Sequence, residues 1–321
     1  MNIPPVSESL PPPFEVSPET TRRVMSKLKV RKAPGPDGIS PQLLCSCKNE
    51  LCEILSTIYN WSLRECHLPS VFKKSIIIPV PKRSPVTCLN DYRPIALTSI
   101  VMRYLETIVR VYIQSNLPAS LDPYQFAYKA DRSVDDAVSW ALFNVNQFLD
   151  KKVLNYVRFL FIDYSSAFNT VSSFQLFEKL LSLDLNQSIC KWILDFLLER
   201  SQVVKIGSRF SKSITLNTGT PQGCNLSSLL YSLFTHDFVA NSNVNFIVKF
   251  ADDTTLGGLI SKNNETEYRN EVENHVKWCS ENNLKLNVKN TKEIIVDFCE
   301  NPSIIKPLVI NNSGVEVVQY F

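Results

Sequence analysis

Glycine is scarce in this sequence, eight in 321 residues, where average usage is roughly 7%. Collagen-like and glycine-linker proteins are excluded, and each glycine present marks a place where the backbone needs unusual freedom. Histidine occurs three times, and the nine cysteines are an odd number without paired zinc spacing. The closest pair, Cys45 and Cys47, is too tight for a C-x2-C knuckle. Reduced, mostly buried thiols are therefore expected, as in an intracellular protein of the nucleus or cytoplasm. No run reaches the roughly 18 apolar residues that a membrane-spanning helix needs. The start, MNIPPVSESLPPPF, lacks the basic and apolar regions of a secretory signal. The expectation is a protein neither secreted nor transmembrane.

What remains is an ordinary folded composition, 44% hydrophobic and 20% charged, in a chain about twice the usual domain length of roughly 150 residues. The net charge of +3 conceals an asymmetry. Arg22 to Arg132 holds 17 Lys/Arg against 8 Asp/Glu, whereas Ser133 onward holds 17 against 20. A basic amino-terminal third beside a slightly acidic remainder suits a polyanion-binding surface next to a metal-carboxylate site. An uneven but solvated surface would give the same count.

Six of the first 18 residues are proline, which reads as an extended linker leading to a helix capped at Ser17. Helical patterns follow near 41–63, 99–116 and 134–150, with a proline-closed strand at 75–82. Beyond these, 156–162 is a strand ending at Asp163. Helices are expected at 175–183, 187–200 and 224–239, and a hairpin joins 202–206 to 213–216. Strands at 246–250 and 254–259 flank Asp252 and Asp253, a helix spans 265–282, and a closing strand spans 293–298. Interleaved strands and helices argue for a sheet with helices packed on it, α/β or α+β.

Adjacent acids alone are weak signals. Asp135 and Asp136 stand at a predicted helix start, where the macrodipole favours them and no further role is needed. Asp252 and Asp253 differ, since FIVKFA precedes them and TTLGG follows, placing both at a tight hairpin tip, although a surface turn would read the same. Asp163 closes VRFLFI, a strand apolar to its last residue, where a carboxylate is costly unless its charge is compensated. If the two strands are neighbours, three carboxylates converge, repulsion raises at least one pKa, and a hard cation such as Mg²⁺ relieves it.

VRFLFIDYSSAF, NTGTPQGCNLSSLLY and VKFADDTTL, in that order, resemble motifs A, B and C of reverse transcriptases. KAPGPDGIS, IIIPVPK, LNDYRPIALTS, LDPYQFAYKADRS and NNLKLNVKNTKEIIV are similar to segments of the enzymes of non-LTR, jockey-like LINE retrotransposons. The likeness covers roughly residues 20–321. It implies an α+β right-hand polymerase, fingers and palm, with an antiparallel palm sheet and packed helices. It also implies copying of RNA into DNA from a primer 3′-OH and a dNTP. The expected division is a linker over 1–18, fingers with part of the palm over 19–155, and palm over 156–321. The reverse transcriptase domain overall is expected at about 65–321.

By this resemblance Asp163, Asp252 and Asp253 are the catalytic carboxylates and hold two Mg²⁺ ions, with Mn²⁺ as a substitute. Phe168 falls where the family has an aromatic gate against the ribose 2′-OH, though an ordinary core Phe would read alike. Gln222 and Gly223 match residues that approach nucleotide and template, and Gly223 is expected to let the backbone come close. Lys82 and Arg93 stand at positions that contact the triphosphate. Either could equally be a solvated surface cation, and Arg132 in QFAYKADRS is a weaker candidate.

Four departures from the family pattern stand out. Motif A reads Ala-Phe-Asn169, and motif B reads Leu226-Ser227-Ser228 where Leu-Ser-Pro is common. Asn290 replaces the motif D lysine, a proposed general acid, with Lys289 and Lys292 as adjacent substitutes. The chain is also expected to stop near where a primer-grip turn would begin, with the thumb missing, like an excised or decayed copy. The competing reading is a catalytically inert, truncated nucleic-acid-binding remnant. A phosphodiesterase using the same acids lacks the His and additional acids such sites often hold.

Overall fold

A computed structural model describes residues 11–27, 33–150, 155–298 and 305–320. Of the expected linker, 1–10 lies outside the described residues. The chain divides into two compact units, each assembled from two separated segments: residues 1–118 with 172–230, and residues 119–171 with 231–321.

The chain opens with α1 (Pro18–Lys27), α2 (Pro41–Ser46) and α3 (Lys48–Arg64), then the strands β1 (Ser75–Pro81) and β2 (Tyr92–Thr98), and α4 (Ile100–Asn116). Ser17 Oγ accepts from the Thr20 N–H, the cap that the sequence signals. After α4 come α5 (Val134–Leu149), β3 (Asn155–Ile162) and the short α6 (Ala167–Thr170). Next are α7 (Ser173–Ser182), α8 (Gln187–Leu197), β4 (Arg200–Ile206), β5 (Arg209–Phe210) and β6 (Ile214–Leu216). Last are α9 (Ser227–Phe234), β7 (Asn245–Phe250), β8 (Asp253–Ser261), α10 (Thr266–Glu281), β9 (Lys292–Asp297), β10 (Val309–Ile310), β11 (Ser313–Gly314) and β12 (Glu316–Val317).

In the first unit β1 pairs antiparallel with β2 and parallel with β4, which also pairs with β5 and β6. The β4–β6 pairing is the hairpin expected from sequence, and the parallel β1–β4 contact is an addition. Helix α4 is buried along most of its length, from Ile100 through Leu105 to Ile113.

In the second unit the sheet order is β12-β9-β3-β8-β7, antiparallel throughout except for the edge pair β12–β9. Strand β3 lies at the centre and is buried on both faces, which explains why its sequence is a near-continuous apolar run. Val157 and Phe159 join Phe126, Ala137, Val145, Phe246 and Val248 in one core cluster, with Trp140 and Phe148 of α5 packed against it.

On the opposite side of β3, the fully buried Arg158 pairs with Glu293 at 2.6 Å and Glu265 at 2.7 Å. Tyr268 donates to the same Glu293 at 2.6 Å, so every charge in this buried cluster has a partner. Gly257 and Gly258 of β8 face Phe159 and Arg158 across the ladder. A Cβ on Gly257 would stand 2.1 Å from the Phe246 ring, and one on Gly258 2.4 Å from Tyr268. The sheet therefore admits these two rings only because β8 is bare there.

One acid of the expected helix start keeps a local role. Asp136 Oδ2 accepts from the Ser133 N–H at 2.8 Å and its hydroxyl at 2.6 Å, a capping box that starts α5. All eight described cysteines are free thiols, and Cys52, Cys190, Cys224 and Cys279 are buried.

Candidate active site

The ladder of β3 and β8 ends at Ile162 opposite Thr254, so the next position sets Asp163 across from Asp253. The ladder of β7 and β8 ends at Phe250 opposite Asp253, leaving Ala251 and Asp252 as a two-residue turn. Ala251 is in the left-handed region at φ 59°, as a turn this tight demands of one of its residues. All three acids thus lie at one end of one sheet. Partial burial first, then the Asp252 and Asp163 carboxylates, push the Asp253 carboxyl above its ordinary value.

The hairpin tip is pinned by a residue that sequence reading left without a role. Gln125, 1% exposed, accepts at Oε1 from the Ala251 N–H at 3.2 Å and the Ala127 N–H at 3.0 Å. Its neighbours extend the tie, because Lys249 N–H donates to Tyr124 O and Phe126 N–H to Lys249 O, both at 2.9 Å. Lys249 itself is buried, with its ammonium on Asp122 at 2.7 Å and on the carbonyls of Thr235 and Phe238. The signal for Gln125 was its place in LDPYQFAYKADRS; its partner is 126 positions away.

Asp163 is enclosed from the β9 side. The pair Phe161–Lys292 ends one ladder and the bridge Tyr164–Leu286 follows. Between them the β3 chain contributes two residues and the other chain five. The surplus loops out as a turn over Asp163. Asn287 N–H donates to Asp163 O at 2.9 Å, and Asp163 N–H donates to Thr291 Oγ1 at 3.3 Å. Asp163 Oδ2 accepts from Asn287 Nδ2 at 2.6 Å and from Asn290 Nδ2 at 3.0 Å. Asn290 thus reaches the carboxylate directly. Lys292 instead places its ammonium on Glu316 at 2.6 Å and on Lys289 O at 3.0 Å, and Lys289 is exposed.

The donor set is three carboxylates, the oxygen ligands a hard divalent cation prefers, and the raised Asp253 pKa reports charge that such a cation would offset. As they stand, however, the side chains do not form a ready chelate. Among the described residues no group of three or more His, Cys, Asp and Glu could hold a metal ion. Chemistry fits; assembly requires the acids to turn toward one another.

Phe168 follows Ser166, which is left-handed at φ 56°, and lies against Tyr231 with ring centroids 4.7 Å apart. Burial, with Asp252 as the next cause, raises the Tyr231 hydroxyl well above its ordinary pKa. Tyr231, the ring that Phe168 packs on, is therefore within electrostatic reach of the acids.

In the first unit Lys82 N–H donates to Asp91 O at 2.7 Å, and Arg93 faces Val80 across the β1–β2 ladder. Both side chains belong to exposed residues. Gln222 O accepts from the Ala96 N–H of β2 at 2.9 Å, so the turn holding Gln222 and Gly223 is attached to the strand that carries Arg93. Gly223 has φ 103°, and a Cβ there would meet Ala96 O at an ordinary 3.5 Å. Within the chain, the demand for glycine here is therefore one of backbone conformation.

The missing motif B proline is offset by α4. Leu226 N–H donates to Glu106 at 3.1 Å, Asn225 Nδ2 to Thr107 Oγ1 at 3.0 Å, and Arg110 to Asn225 O at 3.1 Å. The two consecutive residues Asn225 and Leu226 that lead into α9 are thereby tied to one helix.

Residues 80–312 match the family described as reverse transcriptase (RNA-dependent DNA polymerase). The chain belongs to the reverse transcriptase family. It is 26% identical over 89% of its length to the probable RNA-directed DNA polymerase from transposon BS of Drosophila melanogaster. It is 27% identical over 78% to the RNA-directed DNA polymerase from mobile element jockey of Drosophila funebris. These relatives place it with the non-LTR retrotransposon reverse transcriptases. The alignments cover 33% and 29% of those two relatives, so the chain spans about a third of their length. Among solved structures, a telomerase from Candida tropicalis in complex with a telomeric RNA fragment aligns over 80% of this chain and 45% of its own, with a TM-score of 0.53 and 12% identity. That likeness shows the fold, mixed α and β, with sheets and helices arranged as in a reverse transcriptase. No described helix is long and apolar enough to cross a membrane.

Proposed function

We propose that this chain performs RNA-templated DNA synthesis, transferring a nucleotidyl group from a dNTP to a primer 3′-OH. The observation that carries this reading is the convergence of Asp163, Asp252 and Asp253 at one end of the second unit's sheet, with the Asp253 carboxyl raised by burial first and by its two neighbours after it. Asp163, Asp252 and Asp253 would hold two divalent ions, Mg²⁺ or in its place Mn²⁺. When bound, such ions activate the attacking hydroxyl and stabilise the leaving phosphates. Gln125 and the Asn287–Thr291 turn hold the backbone that presents these acids, so the carboxylates start from a fixed scaffold.

Lys82 and Arg93 bring positive charge to the triphosphate, and an exposed guanidinium can bind two phosphate oxygens at once. Gln222 and Gly223 border nucleotide and template. Phe168 excludes the ribose 2′-OH, supported by its contact with Tyr231. The family membership and the polymerase names of the relatives favour RNA as the template.

The competing reading is a nucleic-acid-binding remnant without catalysis, and the engagement of Asp163 by two amides favours it. Primer extension on a homopolymeric RNA template separates the two. Asp163→Asn and Asp252→Asn should each lower extension by at least about 100-fold, the usual loss for one electrostatic stabiliser, while template binding stays within about twofold. A tenth of wild-type activity in either variant would end the assignment of these acids.

A further inference from the structure

The way Asp163 is held bears on how an ion could reach it, an inference that rests on Asp163 being an ion ligand. A carboxylate oxygen presents two lone-pair directions, and Asp163 Oδ2 already accepts two hydrogen bonds, from Asn287 at 2.6 Å and Asn290 at 3.0 Å. We propose that Asn290 is a positioning residue that competes with a divalent ion for Asp163 Oδ2, so that the ion site assembles only as this amide lets go. It would act as a latch on one carboxylate oxygen.

The two amides are unequal partners. Asn287 is half-buried, and its carbonyl accepts from the N–H groups of Asn290 and Thr291 and from the Thr291 hydroxyl, all within 3.0 Å. Its N–H also fastens the Asp163 carbonyl. Removing Asn287 would therefore disturb the turn itself. Asn290 is exposed and its bond is the longer one, so water can replace it cheaply. Asn290 is the member that can yield while the turn stays folded. Holding Oδ2 also restrains the carboxylate from turning toward the other two acids, and an oxygen committed to two amides offers no lone pair to an ion. An amide in this place can restrain Asp163 but has no proton to donate at neutral pH, unlike a lysine ammonium.

The test uses the full chain and Mn²⁺ alone, followed by isothermal titration calorimetry without nucleic acid. Asn290→Ala should tighten Mn²⁺ binding about two- to fivefold, the range of one partly solvated hydrogen bond. The gain should vanish when Asp163→Asn is added, because the competed oxygen is then gone. In protein labelled with ¹⁵N-asparagine, Mg²⁺ should shift the Asn290 side-chain amide signals in the wild type while the Asn287 backbone signal stays in place. Equal or weaker Mn²⁺ binding in Asn290→Ala, with wild-type binding intact, overturns the latch and leaves the proposed activity standing. If neither the wild type nor Asn290→Ala binds Mn²⁺, the ion-ligand reading falls and the latch falls with it.

Discussion

Phe168 tests how far a single side chain can be assigned. Its ring is half-buried and lies 4.7 Å from that of Tyr231, so it is packed on one side and partly open on the other. Shrinking it has two separable effects. Phe168→Ala should cost about 1–2 kcal/mol of stability, less than the 3–5 of a fully buried ring. If Phe168 excludes a 2′-OH, the same change should also relax the preference for dGTP over GTP in primer extension, because discrimination by a clash is lost with the clashing group. An unchanged ratio with lowered stability would assign Phe168 to packing alone. At this scale the sequence was most legible where chemistry is local. Asp163 stood out by ending a strand apolar to its last residue, and Asp252 with Asp253 by sitting between two strand patterns. The contacts of Gln125, Asn287 and Asn290 were opaque, Asn290 standing out only as a departure from the motif, because these contacts span 126, 124 and 127 positions and no period in the sequence encodes them.

Among elements, β1, β3, β7, β8 and β9 were readable from dense β-branched and aromatic runs. Strand β2 was not, since Pro94 interrupts YRPIALT; it is an edge strand of its sheet, with Pro94 opposite Pro79, where a missing donor is tolerated. The helical pattern of 187–200 overran into β4, because Glu199 turns left-handed at φ 53° after an apolar face that continues smoothly. Helix α9 begins at Ser227 rather than Cys224 because residues leading into it are bonded to α4. That joint makes a pH prediction. Burial pushes the Glu106 carboxyl up to about 7, against the opposing pull of the Leu226 N–H and Arg103. A group whose folded pKa is raised stabilises fully below its unfolded pKa, near 4.5, and that stability is lost as pH rises through about 7. Glu106→Gln should therefore leave stability unchanged near pH 4.5 and raise it relative to wild type at pH 8, by up to about 3 kcal/mol. Urea unfolding at the two pH values measures this; equal differences at both would remove Glu106 as the titrating group.

For the molecule as a whole, the basic surplus between Arg22 and Arg132 matters only where it reaches solvent, and the structure sorts it. Lys73 is buried against Asp195 at 2.9 Å, Arg83 holds Asp91 at 2.6 Å, and Arg22 holds Glu19 at 2.7 Å. Arg103 is buried on Thr98 and Arg110 is bonded to Asn225. Arg23, Lys27, Arg64, Lys74, Lys82 and Arg93 are exposed. A count from sequence overstates the charge offered to a polyanion, since it cannot separate cations spent inside the fold from those outside it. If these six residues each met a phosphate, the log-log slope of affinity against salt would be about −4 to −5, at roughly 0.7 to 0.9 per contact. Fewer contacts would give a shallower slope. Fluorescence anisotropy of a labelled RNA–DNA primer-template in rising KCl reads this directly. The double variant Lys82→Ala with Arg93→Ala should flatten the slope by about 1.4 to 1.8 if both side chains neutralise phosphates. Lys74→Ala alone should flatten it by no more than about 0.9. A slope untouched by the double variant would place Lys82 and Arg93 outside the nucleic-acid path. The basic surface would then have to be sought among the remaining exposed cations.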